Sequence, residues 1–121
     1  TPLHLAVERG HVELVKLLLQ TEGIHVNAKD QYQITPLHLA VQNGSLQLVR
    51  LLLAADNIDV NAKNLSNNTP LHYAAMKGRL QIVQTLVTND CIDINVKNRY
   101  HLTPLHLAAK YGHCSIVQAL I

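Results

Sequence analysis

The strongest constraint on this chain is that it repeats itself every 34 residues. All four prolines, Pro2, Pro36, Pro70 and Pro104, stand at that interval, as do Gly10, Gly44, Gly78 and Gly112 and the histidines His4, His38, His72 and His106. Residues 1–34 and 35–68 agree at 18 of 34 positions, and 35–68 and 69–102 agree at 16. Self-similarity at such a period marks stacked supersecondary units, each too small to bury its own apolar face. The units are read as 1–34, 35–68, 69–102 and an incomplete 103–121, together one domain.

Within a unit, Thr1-Pro2 supplies a capping hydroxyl and a proline at the first helical position, where its missing N–H costs nothing. The spacing predicts a short helix over 3–9, ended by Gly10 as a left-handed cap. A second helix is predicted over 12–20. Its polar residues Glu13, Lys16 and Gln20 form one wet stripe on an otherwise apolar surface. The later units keep that stripe with Gln47 and Arg50, Gln81 and Gln84, and Ser115 and Gln118. An extended stretch over 24–29 and a turn lead into the next Thr-Pro. Leu, Val and Ile make 40 of the 121 residues and Phe and Trp are absent, so the chain is not of disordered composition and its core must be aliphatic. No apolar run approaches the roughly 18 residues of a membrane span.

Thr-Pro-Leu-His-Leu-Ala at 1–6, 35–40 and 103–108, with Thr-Pro-Leu-His-Tyr-Ala at 69–74, resembles the ankyrin repeat. The family's second helix is matched by Leu-Val-x-Leu-Leu-Leu at 14–19 and 48–53. Its turn is matched by Val-Asn-Ala-Lys at 26–29 and 60–63 and by Ile-Asn-Val-Lys at 94–97. The resemblance covers the whole chain. It implies an all-α, right-angled solenoid of stacked helix-turn-helix units, with an inner and an outer helix row and projecting hairpin loops. It also implies a non-enzymatic scaffold that binds protein through the hairpin tips and the exposed end of the inner helix. Two departures stand out. The period is 34 rather than 33, the extra residue lying between Leu-Leu-Leu and Val-Asn. The hairpin glycine is replaced by Gln33, Asn67 and His101, so differently shaped tips are expected. In similar proteins the arrangement of Leu53, Asp59, Val60 and Asn61 suits asparaginyl hydroxylation. A start at Thr1 and an end at Ile121, without polar capping surfaces, suggest a segment of a longer array.

Catalysis is not expected. Ligands of one zinc lie within roughly 3–4 Å of one another, whereas equivalent residues of stacked helices are about 8–10 Å apart. His4, His38, His72 and His106 are therefore read as hydrogen-bonded residues that tie a helix start to the adjacent loop, and no metal or cofactor is expected. His11, Ser45, Arg79 and His113 share one position and vary, which suits the surface. No nucleophile–base pair or phosphate-cradling loop is present. Cys91 and Cys114 are too few for a disulfide framework and are read as buried or neutral thiols in a reducing, intracellular setting, with the cytoplasm the expected compartment. Lys29, Lys63 and Lys97 form a periodic row that could contact nucleic acid, but a net charge of +2 and the lack of interleaved aromatics favour a solvated loop edge.

Positions that vary among the units are free to serve binding. They give the inner-helix pairs Glu8-Arg9, Gln42-Asn43, Met76-Lys77 and Lys110-Tyr111, and the tip residues Gln31, Tyr32, Ile34, Leu65, Ser66, Asn68, Arg99, Tyr100 and Leu102. From these, Tyr32, Ile34, Leu65, Met76, Lys77, Arg99, Tyr100, Leu102, Lys110 and Tyr111 are the expected partner contacts. Tyr and Arg dominate interface hot spots, which singles out Arg99, Tyr100 and Tyr111. Residues 1–60 carry four basic and six acidic groups, and residues 61–121 six basic and two acidic. The expected partner of this monomer is thus another protein with an acidic or phosphorylated segment. A passive spacer is the rival.

Overall fold

The computed structural model describes all residues, 1–121. The chain forms eight helices and no strand: α1 (Pro2–Glu8), α2 (Val12–Leu19), α3 (Pro36–Asn43), α4 (Leu46–Leu53), α5 (Pro70–Lys77), α6 (Leu80–Val87), α7 (Pro104–Lys110) and α8 (Cys114–Leu120). Within each unit the first helix packs on the second. Along the stack α1, α3, α5 and α7 form one row, and α2, α4, α6 and α8 the other. None of these helices is long and apolar enough to cross a membrane.

The residues that recur every 34 positions set the helix boundaries. Each first helix begins with a capping box in which the threonine hydroxyl accepts from the histidine backbone N–H three residues on, while the histidine side chain reaches back to the threonine. Gly44 and Gly78 end α3 and α5 in the left-handed conformation, at φ 74 in both cases. A β-carbon there would be strained by its own backbone.

The core is a continuous aliphatic seam between the two rows, with Leu37, Leu48, Leu52, Leu71 and Leu86 fully buried. Burying one such side chain contributes roughly 1.5–3 kcal/mol, and it is the neighbouring unit that buries it. Leu48 has no exposure, whereas its first-unit counterpart Leu14 is 44% exposed. The wet stripe of the second helices faces solvent from Glu13 to Gln118, with Lys16 half-buried and 3.2 Å from Glu13.

Junctions between units differ from the sequence-based expectation in three places. Arg79 and His113 are half-buried rather than free on the surface, and each lies over the cap glycine of the preceding unit. Arg79 donates from Nη2 to the Gln42 carbonyl at 3.4 Å, and His113 Nε2 meets the Met76 carbonyl at 3.1 Å. Both thereby satisfy carbonyls that a helix end leaves unpaired. Ser45, at the same position, caps its own helix by accepting from the Leu48 N–H. Asn43 is likewise engaged, its amide donating to the Val7 and Glu8 carbonyls at 3.3 and 3.1 Å. The cysteines are both free and exposed, not buried.

Candidate protein-interaction surface

The loops between units carry most of the exposed large apolar and aromatic side chains that lie away from the ends of the stack. Their shape follows from one acceptor in each loop. Asp30 Oδ1 accepts from the backbone N–H groups of Tyr32 and Ile34 at 2.8 and 2.9 Å. Asn64 does the same for Ser66 and Asn68, and Asn98 for Tyr100 and Leu102, at 2.9 to 3.1 Å. The chain then turns through a left-handed residue, Gln33 at φ 60, Asn67 at φ 59 and His101 at φ 62. The expectation of differently shaped tips is therefore overturned: all three loops keep the left-handed turn without its glycine. The side-chain acceptor fixes the loop strongly enough to hold even a glutamine there.

Each loop is fastened to the unit before it. In His38, Nδ1 receives the Thr35 N–H at 3.2 Å. A backbone N–H only donates, so Nδ1 carries the lone pair and Nε2 carries the proton, which it gives to the Asn68 carbonyl at 2.9 Å. His72 repeats this, taking the Thr69 N–H at 3.0 Å and donating to the Leu102 carbonyl at 2.9 Å, and His4 Nε2 meets the Ile34 carbonyl at 2.7 Å. Burial holds the pKa of His38 and of His72 below 6.5, against the raising effect of those carbonyl bonds. Neutral rings suit a site where each nitrogen has a fixed partner.

A second clamp lies nearer the outer helices. The Asn27 side chain donates to the Asn57 carbonyl at 2.7 Å and accepts from the Asp59 N–H at 2.8 Å. Asn61 makes the same pair of bonds to Cys91 and Asp93 in the next unit, so both ends of its amide are occupied. Tyr73 is half-buried. Its hydroxyl accepts from Asn64 at 2.7 Å, its ring stands edge-on to His38, and burial raises its pKa above 10.0 despite that hydrogen bond.

On this frame the expected contact residues divide. Tyr32, Leu65, Arg99, Tyr100, Lys77, Lys110 and Tyr111 are exposed. Ile34, Met76 and Leu102 are half-buried, and their backbone carbonyls are taken up by the side chains of His4, His113 and His72 respectively. The Arg99 guanidinium lies over the Tyr100 ring at 5.8 Å, and the Lys110 ammonium over the Tyr111 ring at 5.6 Å. Contacts of this length are attractive and limit the freedom of long cationic side chains. The lysine row is only partly free, because Lys29 Nζ donates to the Lys63 carbonyl at 3.1 Å. No three His, Cys, Asp or Glu side chains converge as a metal site.

Paired helices stacked at a fixed period, with hydrogen-bonded loops projecting from one edge, define a helical repeat solenoid. Comparison with family profiles names the class: the profile described as ankyrin repeats (3 copies) matches residues 1–64 and again residues 58–121. The chain belongs to the ankyrin repeat family, whose members generally serve as protein–protein interaction modules and are typically not enzymes. No curated protein matches it.

Proposed function

We propose that this chain is a single-domain, monomeric interaction module. Its partner protein meets the loop tips and the C-terminal ends of α5 and α7, and the partner's acidic or phosphorylated segment lies against Arg99, Tyr100, Lys110 and Tyr111. One observation carries this reading: two solvent-exposed cation–aromatic pairs lie within thirteen residues of each other, in the half of the chain that has six basic and only two acidic groups. Each pair offers a flat apolar face and a positive charge that is already positioned. Less ordering entropy is then lost when a partner docks. Ile34, Met76 and Leu102 contribute through their half-exposed edges. The bond from Lys29 to Lys63 works against reading the lysine row as a nucleic-acid site. Two free thiols are compatible with a reducing intracellular compartment.

The test is capture from cell lysate by the parent chain, by a Tyr100→Ala, Lys110→Glu, Tyr111→Ala variant, and by a Glu13→Ala, Gln47→Ala control on the second-helix row. All three are matched for folding by circular dichroism. A protein held by parent and control, lost by the triple variant and released by phosphatase or by added salt supports the module. Equal capture by all three would sink the surface assignment and leave a passive spacer.

A further inference from the structure

Arg79 is a cation without a counter-ion. It occupies the N-cap of α6 and is half-buried, with its guanidinium resting on Gly44 of the preceding unit. A guanidinium carries five N–H donors in a fixed fork. In Arg79 only Nη2 finds an acceptor, the Gln42 carbonyl at a long 3.4 Å, while Nε is buried with no partner. The chain's one ion pair joins Lys16 to Glu13, so no carboxylate serves Arg79. A half-buried charge left short of hydrogen bonds is unfavourable. The stack does not demand it either. Ser45, at the same position, bonds only within its own helix, and His113 closes its junction with a single bond at 3.1 Å. The fork and permanent charge of Arg79 exceed what a helix end requires.

The surroundings fit an anion. Only Gly78 separates Arg79 from Lys77, and the His113 ring lies so close on Gly78 that a β-carbon there would fall 2.7 Å from it. Lys110, three residues before His113, ends α7, and both lysines are exposed. The acidic groups of units 3 and 4, Asp90 and Asp93, follow α6, whose eight residues set them about 12 Å away along the helix. The acids nearest this edge in sequence position, Glu8 and Glu13, belong to unit 1. We propose that Arg79 is the phosphate-binding residue of the interaction surface. Its guanidinium exchanges the Gln42 carbonyl for a phosphorylated side chain of the partner, held by two parallel N–H donors, with Lys77 and Lys110 as flanking charges. A phosphoryl group brings three acceptor oxygens and close to two negative charges, enough for the fork and for a lysine, whereas a carboxylate offers two oxygens and one charge. Turning toward the ligand also frees Nε from its partnerless position. The assignment rests on the interaction surface proposed above and narrows its acidic or phosphorylated segment to a phosphorylated one.

Fluorescein-labelled degenerate peptide pools with a fixed central serine, phosphoserine or glutamate test it by anisotropy on the parent chain, Arg79→Ser and Arg79→Lys. The serine variant carries the residue that unit 2 has at this position, and the lysine variant keeps the charge without the fork. Urea denaturation checks that both fold. The parent should hold the phosphoserine pool about tenfold tighter than the glutamate pool, and both variants should lose that preference. The Arg79 Nε–H resonance should also shift when the phosphoserine pool is added, which a merely structural arginine would not show. Equal binding of the pools, binding of none, or a preference that survives in either variant overturns the inference. So does a single-stranded oligonucleotide that binds as tightly as the phosphoserine pool, because the edge would then read polymer charge. If the lysate partner still depends on Tyr100, Lys110 and Tyr111 but not on Arg79, the phosphate assignment falls and the interaction surface stands.

Discussion

Gln33→Gly should stabilise the chain even though it removes a side chain and adds nothing. Gln33 sits at φ 60 and is exposed, and its only hydrogen bond is the backbone one to the Asp30 carbonyl. A β-carbon in that left-handed conformation costs roughly 1–2 kcal/mol. Glycine removes the clash but loses about 0.5–1 kcal/mol more backbone entropy on folding. The balance is a gain of about 0.5–1 kcal/mol. For a domain of 121 residues, each kcal/mol is worth about 4 °C in Tm, so a rise of about 2–4 °C is expected. Asn67 at φ 59 is the internal control. Asparagine visits this region at lower cost, so Asn67→Gly should change stability little. Urea denaturation followed by circular dichroism measures both, with an unchanged slope showing that the unfolded state is unaltered. A loss of stability in Gln33→Gly, or an equal gain in Asn67→Gly, would refute strain as the quantity that distinguishes the loops.

Three further outcomes follow from the junctions. Because the folded pKa values of His38 and His72 lie below their unfolded value of 6.5, the unfolded chain binds more protons in acid. Stability is therefore full above about pH 6.5 and falls below it, by at most about 1.4 kcal/mol per pH unit for each ring. Urea midpoints at pH 7.5, 6.5 and 5.5 should show this slope, and a His38→Gln, His72→Gln variant should flatten it. Asn61→Ala removes both bonds to the next unit and should cost about 1 kcal/mol in urea denaturation, while Asn95→Ala, whose side chain makes no hydrogen bond, should stay within about 0.5 kcal/mol. Gly44→Ala and Gly112→Ala share the left-handed strain, at φ 74 and 75, but only at Gly44 would the new β-carbon fall 2.7 Å from the Arg79 guanidinium carbon. Thermal melts should therefore show the larger loss for Gly44→Ala, and replacing Arg79 by serine should remove the difference.

How far the sequence discloses this molecule depends on whether a residue acts within its own unit or across a junction. The Thr-Pro start, the cap glycines and the buried leucines act through local geometry, so one unit repeated is enough to read them. The acceptors Asp30, Asn64 and Asn98 are also local, and their spacing to the left-handed residue was a usable signal for the loop shape. Junction contacts are different, because their partners lie 30 to 37 residues apart and the same position answers with different chemistry. Ser45 bonds forward into its own helix, whereas Arg79 and His113 bond backward to the previous one. Variation at such a position is thus not freedom, and Asn43 shows the same: it differs from Arg9 and Lys77 at the equivalent positions, yet its amide closes the end of α1. Variation alone therefore does not separate surface from framework: Ile34, Met76 and Leu102 vary, yet they are half-buried and their carbonyls accept from histidine side chains. A stricter filter keeps residues that vary, are exposed and place no side chain in a junction bond. Tyr32, Leu65, Lys77, Arg99, Tyr100, Lys110 and Tyr111 pass it. Under the proposed surface, substituting them is expected to weaken a partner without perturbing the frame, which makes them the residues on which binding and folding can be measured apart.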